Sequence, residues 1–224
     1  MYSRFANRLF VAATALALMT GAANAATTFT FNHSGSAVQS EVWNVGGIGL
    51  TTTAGVFNDS TGNVVLHPSV LLTLNGGYGY GVHSPGESFG SPDHQIDGSG
   101  YNELVVLAFD KTVRLVSATF NFVERDDDFS FLFGGIAPGV MSLISNSADI
   151  PGTGNNRTYT FAQNWTGMLF GIGANGNDDE FKLKSITVEA VSEVPVPAAL
   201  PLLASGLLAA GVVGRRKRKA AAKA

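Results

Sequence analysis

The sequence predicts an all-β fold, an antiparallel β-sandwich of jelly-roll-like design, and three observations carry that expectation. Apolar and polar residues alternate along several short runs, glycine-rich turns separate those runs, and residues 26–193 show no long amphipathic helical period. Successive side chains of a strand point to opposite faces, so alternation marks a segment with one buried face and one wet face. Of the 27 glycines in the 224-residue chain, 23 lie between Ala26 and Val194, which favours many turns over long helices.

In chain order, Phe29 and Phe31 form the first alternating pair, and Val64 to Leu74 and Glu103 to Phe109 are the next strand candidates. Thr112 to Val123 has the clearest pattern, with Val116, Ala118, Phe120 and Phe122 on one face and Ser117, Thr119 and Asn121 on the other. Phe129, Phe131 and Phe133 repeat it, followed by Arg157 to Phe161 and Met168 to Ile172. The last run, Phe181 to Val191, changes phase: Phe181 and Leu183 are odd-numbered, whereas Ile186, Val188 and Ala190 are even. A bulge near Ser185 reconciles them. Turn chemistry separates the runs at Asn75-Gly76-Gly77, Ser84-Pro85-Gly86, Asp97-Gly98-Ser99-Gly100, Ala137-Pro138-Gly139 and Pro151-Gly152-Thr153-Gly154. About nine to eleven short strands suit two packed sheets, with a barrel as the second choice. No internal repeat of 20 to 50 residues is present, which argues against a solenoid.

Charge separates this domain from its ends. Residues 26–194 hold all 17 acids and six of the 14 bases, a net −11, while both ends are basic and acid-free. So acidic a section is unsuited to nucleic acid, where clustered lysine and arginine must neutralise phosphates. With no cysteine, disulfides, thiolate metal sites and cysteine nucleophiles are all excluded. Residues 1–25 place Arg4 and Arg8 before an apolar run from Leu9 to Met19 and end in Ala23-Asn24-Ala25, the three parts of a signal peptide cleaved after Ala25. The run is short for an uncleaved anchor.

Val194 to Gly214 contains no charge, and Arg215-Arg216-Lys217-Arg218-Lys219 follows. A transmembrane helix over 198–214 is expected; at the usual rise its apolar part is roughly 24 Å long, approaching the roughly 30 Å of the hydrocarbon layer. The basic cluster would stay cytoplasmic and the acidic domain outside. Val194, Pro195, Val196 and Pro197, then the apolar span, then Arg215 and Arg216, resemble the PEP-CTERM sorting signal over residues 194–219. Val196 stands where the name motif has glutamate. The resemblance implies export across the inner membrane of a Gram-negative bacterium, transient anchoring, and tail removal by an exosortase after signal peptidase has acted. It also implies a cell-surface or extracellular destination in an exopolysaccharide-producing envelope. A plain single-pass anchor is the simpler reading of the same hydropathy. Residues His94 to Asp128 are similar to a stretch of uncharacterised proteins with this type of tail, which implies a shared domain and no particular activity.

Within the domain, Asp126-Asp127-Asp128 and Asp178-Asp179-Glu180 each close a loop and open a strand. Adjacent carboxylates repel, and a hard oxygen-seeking cation such as calcium relieves that repulsion; solvated loop ends are the plainer reading. Asp93, Asp97 and Glu103 offer a second set of oxygens in a β-loop, although the EF-hand spacing fails at Leu104. Gly86-Glu87-Ser88-Phe89-Gly90 has the letters of a nucleophile elbow without the helix that must follow it. The four histidines form no His-x-x-x-His pair. Trp43, Trp165 and Tyr101, with Tyr78 and Tyr80, offer flat faces for stacking on sugar rings, or plain packing at sheet edges. The expectation is therefore a structural or glycan-binding component of the extracellular matrix or biofilm, with exopolysaccharide as partner. No cofactor is expected, calcium being an option and not a requirement, and no catalysis is expected. The rival expectation is an extracellular hydrolase using a carboxylate pair on polysaccharide.

Overall fold

The computed structural model describes residues 25–87, 94–135 and 141–191. Among them the chain is all-β and antiparallel, with thirteen strands and no helix. These are β1 (Ala26–Thr30), β2 (Ser40–Val45), β3 (Ile48–Phe57), β4 (Val64–Val65), β5 (Leu71–Asn75), β6 (Gly79–His83) and β7 (Ile96–Asp97). There follow β8 (Glu103–Asn121), β9 (Asp128–Gly135), β10 (Ser142–Asp149), β11 (Arg157–Thr160), β12 (Thr166–Gly173) and β13 (Glu180–Ala190). The main path runs β10-β9-β12-β8-β13-β6-β5.

Strand β8 organises the molecule. Its first half pairs with β3 on one side and β12 on the other, and its second half pairs with β13 and β11. The two strands expected at 103–109 and 112–123 are thus one strand of 19 residues. No glycine or proline interrupts Asp110-Lys111, so the ladder changes partners while the chain runs on. Leu104, Val105, Val106 and Leu107 are all buried because both faces of this half are covered. Val105, Leu107 and Phe109 join the main core, and Leu104 and Val106 join a smaller cluster with Phe57, Leu132 and Met141.

The main core draws on both halves of β8. Phe109 meets Phe29 of β1 and Phe170 of β12, each at 5.9 Å between ring centroids, and Phe120 meets Phe129 and Phe181, each at 5.2 Å. Edge-to-face and tilted contacts of this kind add to the stabilisation from burial. The phase change expected near Ser185 is present: β13 pairs Leu183 with Phe120 and Ser185 with Thr119, leaving Lys184 as the extra residue.

Two expectations are corrected. The buried apolar residues of the 112–123 segment are Val113, Leu115, Ala118, Phe120 and Val123, because the register shifts opposite Val116; Asn121, expected on the wet face, is buried, and Phe122 is exposed, with φ of +61°. Val64 to Leu74 is broken into β4 and β5 by a turn at His67-Pro68, where proline has no N–H to offer a ladder. The signal segment to Asn24, with Ala23, lies outside the described residues. So do Val194, Pro195, Val196, Pro197, Arg215, Arg216 and the expected span 198–214, and so do Ser88, Asp93 and the 137–139 turn. Ala25 is exposed just before β1. Among the described residues, no helix is long and apolar enough to cross a membrane.

Candidate functional site

Strand β7 pairs with the start of β13, setting Asp97 opposite Glu180 and Ile96 opposite Phe181. Close packing holds the adjoining loops together, since a Cβ on Gly98 would lie 2.4 Å from the Gly176 carbonyl oxygen. At this end Glu87, Asp97 and Glu103 each bring a carboxylate oxygen within 4.8 Å of the others. Glu103, fully buried at the start of β8, shares a 2.5 Å hydrogen bond between Oε1 and Ser84 Oγ, and its Oε2 accepts the Asp97 N–H at 3.2 Å. Glu87 Oε2 accepts the Ser84 N–H at 2.7 Å and lies 3.6 Å from His83 Nδ1, while Asp97 Oδ1 accepts the Ser99 N–H at 2.8 Å.

Burial, and after it the charges of Glu87 and Asp97, pushes the Glu103 carboxyl up from 4.5 to about 9. At neutral pH it is then an uncharged acid, with the Ser84 hydroxyl as its hydrogen-bond partner. Converging carboxyl groups of this kind can store a proton or share a cation, and without a cation the proton is the cheaper way to relieve like-charge repulsion.

The two acidic triplets do come together, as a reciprocal latch. Asp127 is buried and accepts the N–H groups of Glu124 at 2.6 Å and Glu180 at 3.0 Å. Asp179, equally enclosed, accepts those of Asp128 at 2.8 Å and Gly176 at 3.0 Å. Each loop's central aspartate therefore satisfies backbone donors of its own loop and of the other. Burial raises the Asp127 carboxyl to about 6 and also raises Asp128 and Asp179, with neighbouring acids adding to the effect. Asp126 and Asp178 point to solvent and Glu180 is half-buried. Among the described residues, the three-carboxylate convergence is at Glu87, Asp97 and Glu103 and not at the triplets.

A cleft of roughly 600 Å³ opens between β10 and β11, floored by Phe129, Phe131, Tyr159, Phe161 and Trp165 and edged by Ser145, Ser147, Asp149 and Gln163. Trp165 is half-buried, its ring held edgewise by Phe131 at 5.3 Å and at a tilt by Phe133 at 5.2 Å; Tyr159 meets Phe129 at 4.9 Å. A rigid aromatic floor with short polar side chains at its edge suits the CH face and hydroxyls of a sugar. Among the described residues one carboxylate, Asp149, lines the cleft; its cross-strand partner Asp128 does not.

The three aromatic residues expected to stack on sugars are not brought together. Only Trp165 belongs to this cleft. Tyr101 is exposed beside a separate hollow lined by Val56, Val65, His67, Val70 and Pro85. Trp43 has His33 stacked on its face at 4.4 Å, and its indole N–H donates to the Tyr80 hydroxyl at 2.6 Å. Tyr80 is held by Glu41, and its hydroxyl is pushed well above the usual tyrosine range by burial and by that carboxylate. Sequence reasoning singled out Asp97 and Glu103 but missed their partners Ser84 and Glu87, which lie on a different loop. It also missed Lys182, which is buried in β13 with its Nζ on the His94 carbonyl at 2.5 Å and is lowered to about 7 by burial.

No family model, curated protein or solved structure matches the chain.

Proposed function

We propose that this chain is an exported, surface-sorted glycan-binding component of an extracellular matrix, and that the cleft between β10 and β11 is where it holds polysaccharide. The observation that carries the reading is the aromatic floor of that cleft, with Asp149 as the one carboxylate lining it among the described residues. Glycoside hydrolysis needs two carboxyl groups across the scissile bond, whereas binding needs flat faces and hydrogen-bonding edges. The export half of the reading is supported by the signal-like start, the PEP-CTERM-like end and the net −11 of the section between them. In this reading the two halves of β8 belong to the two layers of a jelly-roll-like sandwich, and calcium is not required.

The test is a glycan array and affinity electrophoresis with the exported protein and its Trp165→Ala and Gln163→Ala variants. Loss of the stacking face should weaken binding by roughly fivefold or more, and loss of the amide by less. Binding unaffected by Trp165→Ala removes the cleft from the account. Release of reducing ends that disappears in Asp149→Asn would instead assign the hydrolase reading.

A further inference from the structure

Phe122 is a bulky residue in the left-handed region, with φ of +61°, and is 39% exposed. Such a conformation is unfavourable for a side chain with a Cβ and persists only where its surroundings enforce it. Here they do. The Phe122 N–H donates to Asn155 Oδ1 at 3.0 Å, and the neighbouring Val123 and Gly154 exchange backbone hydrogen bonds at 3.0 and 2.6 Å. Asn121 accepts the Asn156 N–H at 2.8 Å and donates to the Tyr78 carbonyl at 2.8 Å. Asn156 is itself left-handed, at +59°.

What this frame presents is a pair of rings in solvent. Phe122 and Tyr78, the latter 49% exposed, lie 5.1 Å apart with their planes tilted by 47°. Two cations belong to the same frame. Lys184, the bulge residue of β13, donates to Asn156 Oδ1, and its Cα abuts Gly79, the residue after Tyr78. Arg157 follows Asn156, and its guanidinium lies over Gly152 and Gly154. Neither forms an ion pair among the described residues, in a section carrying net −11, and Arg157 Nε is buried without a hydrogen-bond partner.

We propose that Tyr78, Phe122, Asn155, Asn156, Arg157 and Lys184 form a binding site for an acidic sugar unit of a polysaccharide. The rings take the CH face of one uronate, and Lys184 and Arg157 meet its carboxylate. Two rings are too small for a stable protein interface, which needs about 800 Å² on each partner. A pyranose matches their size, and the uncompensated cations select an anionic one. The site shares no lining residue with the β10–β11 cleft and does not depend on it.

Affinity electrophoresis of the exported protein in gels containing polygalacturonate or alginate, and in gels containing the same polymers with their carboxyl groups reduced, tests this. The wild type should be retarded by the polyuronates and much less by the reduced polymers. Phe122→Gly, which relieves the positive φ, should keep or raise Tm while weakening retardation by roughly fivefold or more. Arg157→Gln and Lys184→Gln should each weaken it and flatten its salt dependence. Phe122→Gly should keep the glycan-array binding that Trp165→Ala weakens, so the failure of this site and that of the cleft read out separately. The proposal is overturned by wild-type retardation of Phe122→Gly, by equal retardation in the reduced polymers, by no retardation of the wild type in either polyuronate, or by a fall in Tm of Phe122→Gly that accounts for its lost binding.

Discussion

Replacing Glu103 by glutamine should make the protein more stable at neutral pH. Burial holds the Glu103 carboxyl at about 9 against an ordinary 4.5, so between those values the folded chain keeps a proton that the unfolded chain releases. The unfolded state then binds fewer protons, and stability falls as pH rises from 4.5 towards 9. At about 1.4 kcal/mol for each pH unit above the unfolded value, the cost at pH 7 is about 3 kcal/mol. Glutamine is neutral at every pH and can satisfy both partners, its oxygen accepting the Asp97 N–H and its amide donating to Ser84 Oγ once that hydroxyl turns from donor to acceptor. Glu103→Gln should therefore gain about 3 kcal/mol at pH 7, or roughly 6–12 °C in Tm for a domain of this size. The gain should vanish near pH 4.5 and grow to a plateau above pH 9. Thermal melts at pH 4.5, 7 and 9, in chelator and in millimolar calcium, measure it. A variant less stable than wild type at pH 7 in chelator would refute the reasoning. So would a calcium-induced rise in Tm that Glu103→Gln abolishes, since the carboxylates would then be ionised around a cation.

The other predictions concern the latch, the buried lysine and the ends of the chain. Asp127→Ala strands the N–H groups of Glu124 and Glu180 and should cost about 2–3 kcal/mol in urea unfolding. Asp179→Ala should cost a similar amount, and the double variant less than the sum because both act on the same two loops. Lys182 titrates near 7 when folded and 10.5 when unfolded, so its penalty is full below pH 7 and fades as pH rises to 10.5. Lys182→Met should accordingly melt higher than wild type at pH 6, with the advantage shrinking towards pH 10; a constant difference would show that its charge is not the cause. Mass spectrometry of the exported protein should show a start at Ala26 and loss of the basic tail, whereas Lys223 on secreted protein would sink the sorting hypothesis.

Several elements were legible because their signal is local. Phe29 and Phe31, the Phe129 to Phe133 series and the phase change before Ile186 record which face of a strand is buried, and that depends only on neighbours two residues away. Phe122 misled for the same reason: it continues an apolar alternation, but its own N–H donates to Asn155 Oδ1 and the backbone turns it out to solvent. The acidic triplets were visible as a matched pair, yet nothing in their spacing shows that Asp127 and Asp179 exchange backbone partners across more than fifty positions. Asp97 and Glu103 were marked as oxygen donors, whereas Ser84 and Glu87 join them only when β6 and the start of β8 meet at one end of the fold.

By itself, the sequence determined the β character of the domain, the split between an acidic middle and two basic ends, and the absence of any thiol chemistry. These follow from composition and from a two-residue period, neither of which requires knowing which strands pair. The tertiary structure alone decided which of the many acids is buried and protonated, which aspartates act as backbone acceptors, and which of three exposed-looking aromatic residues floors a cleft. Desolvation and hydrogen bonding depend on groups that pairing brings together from distant parts of the chain, and those distances appear only once the strands have found their partners.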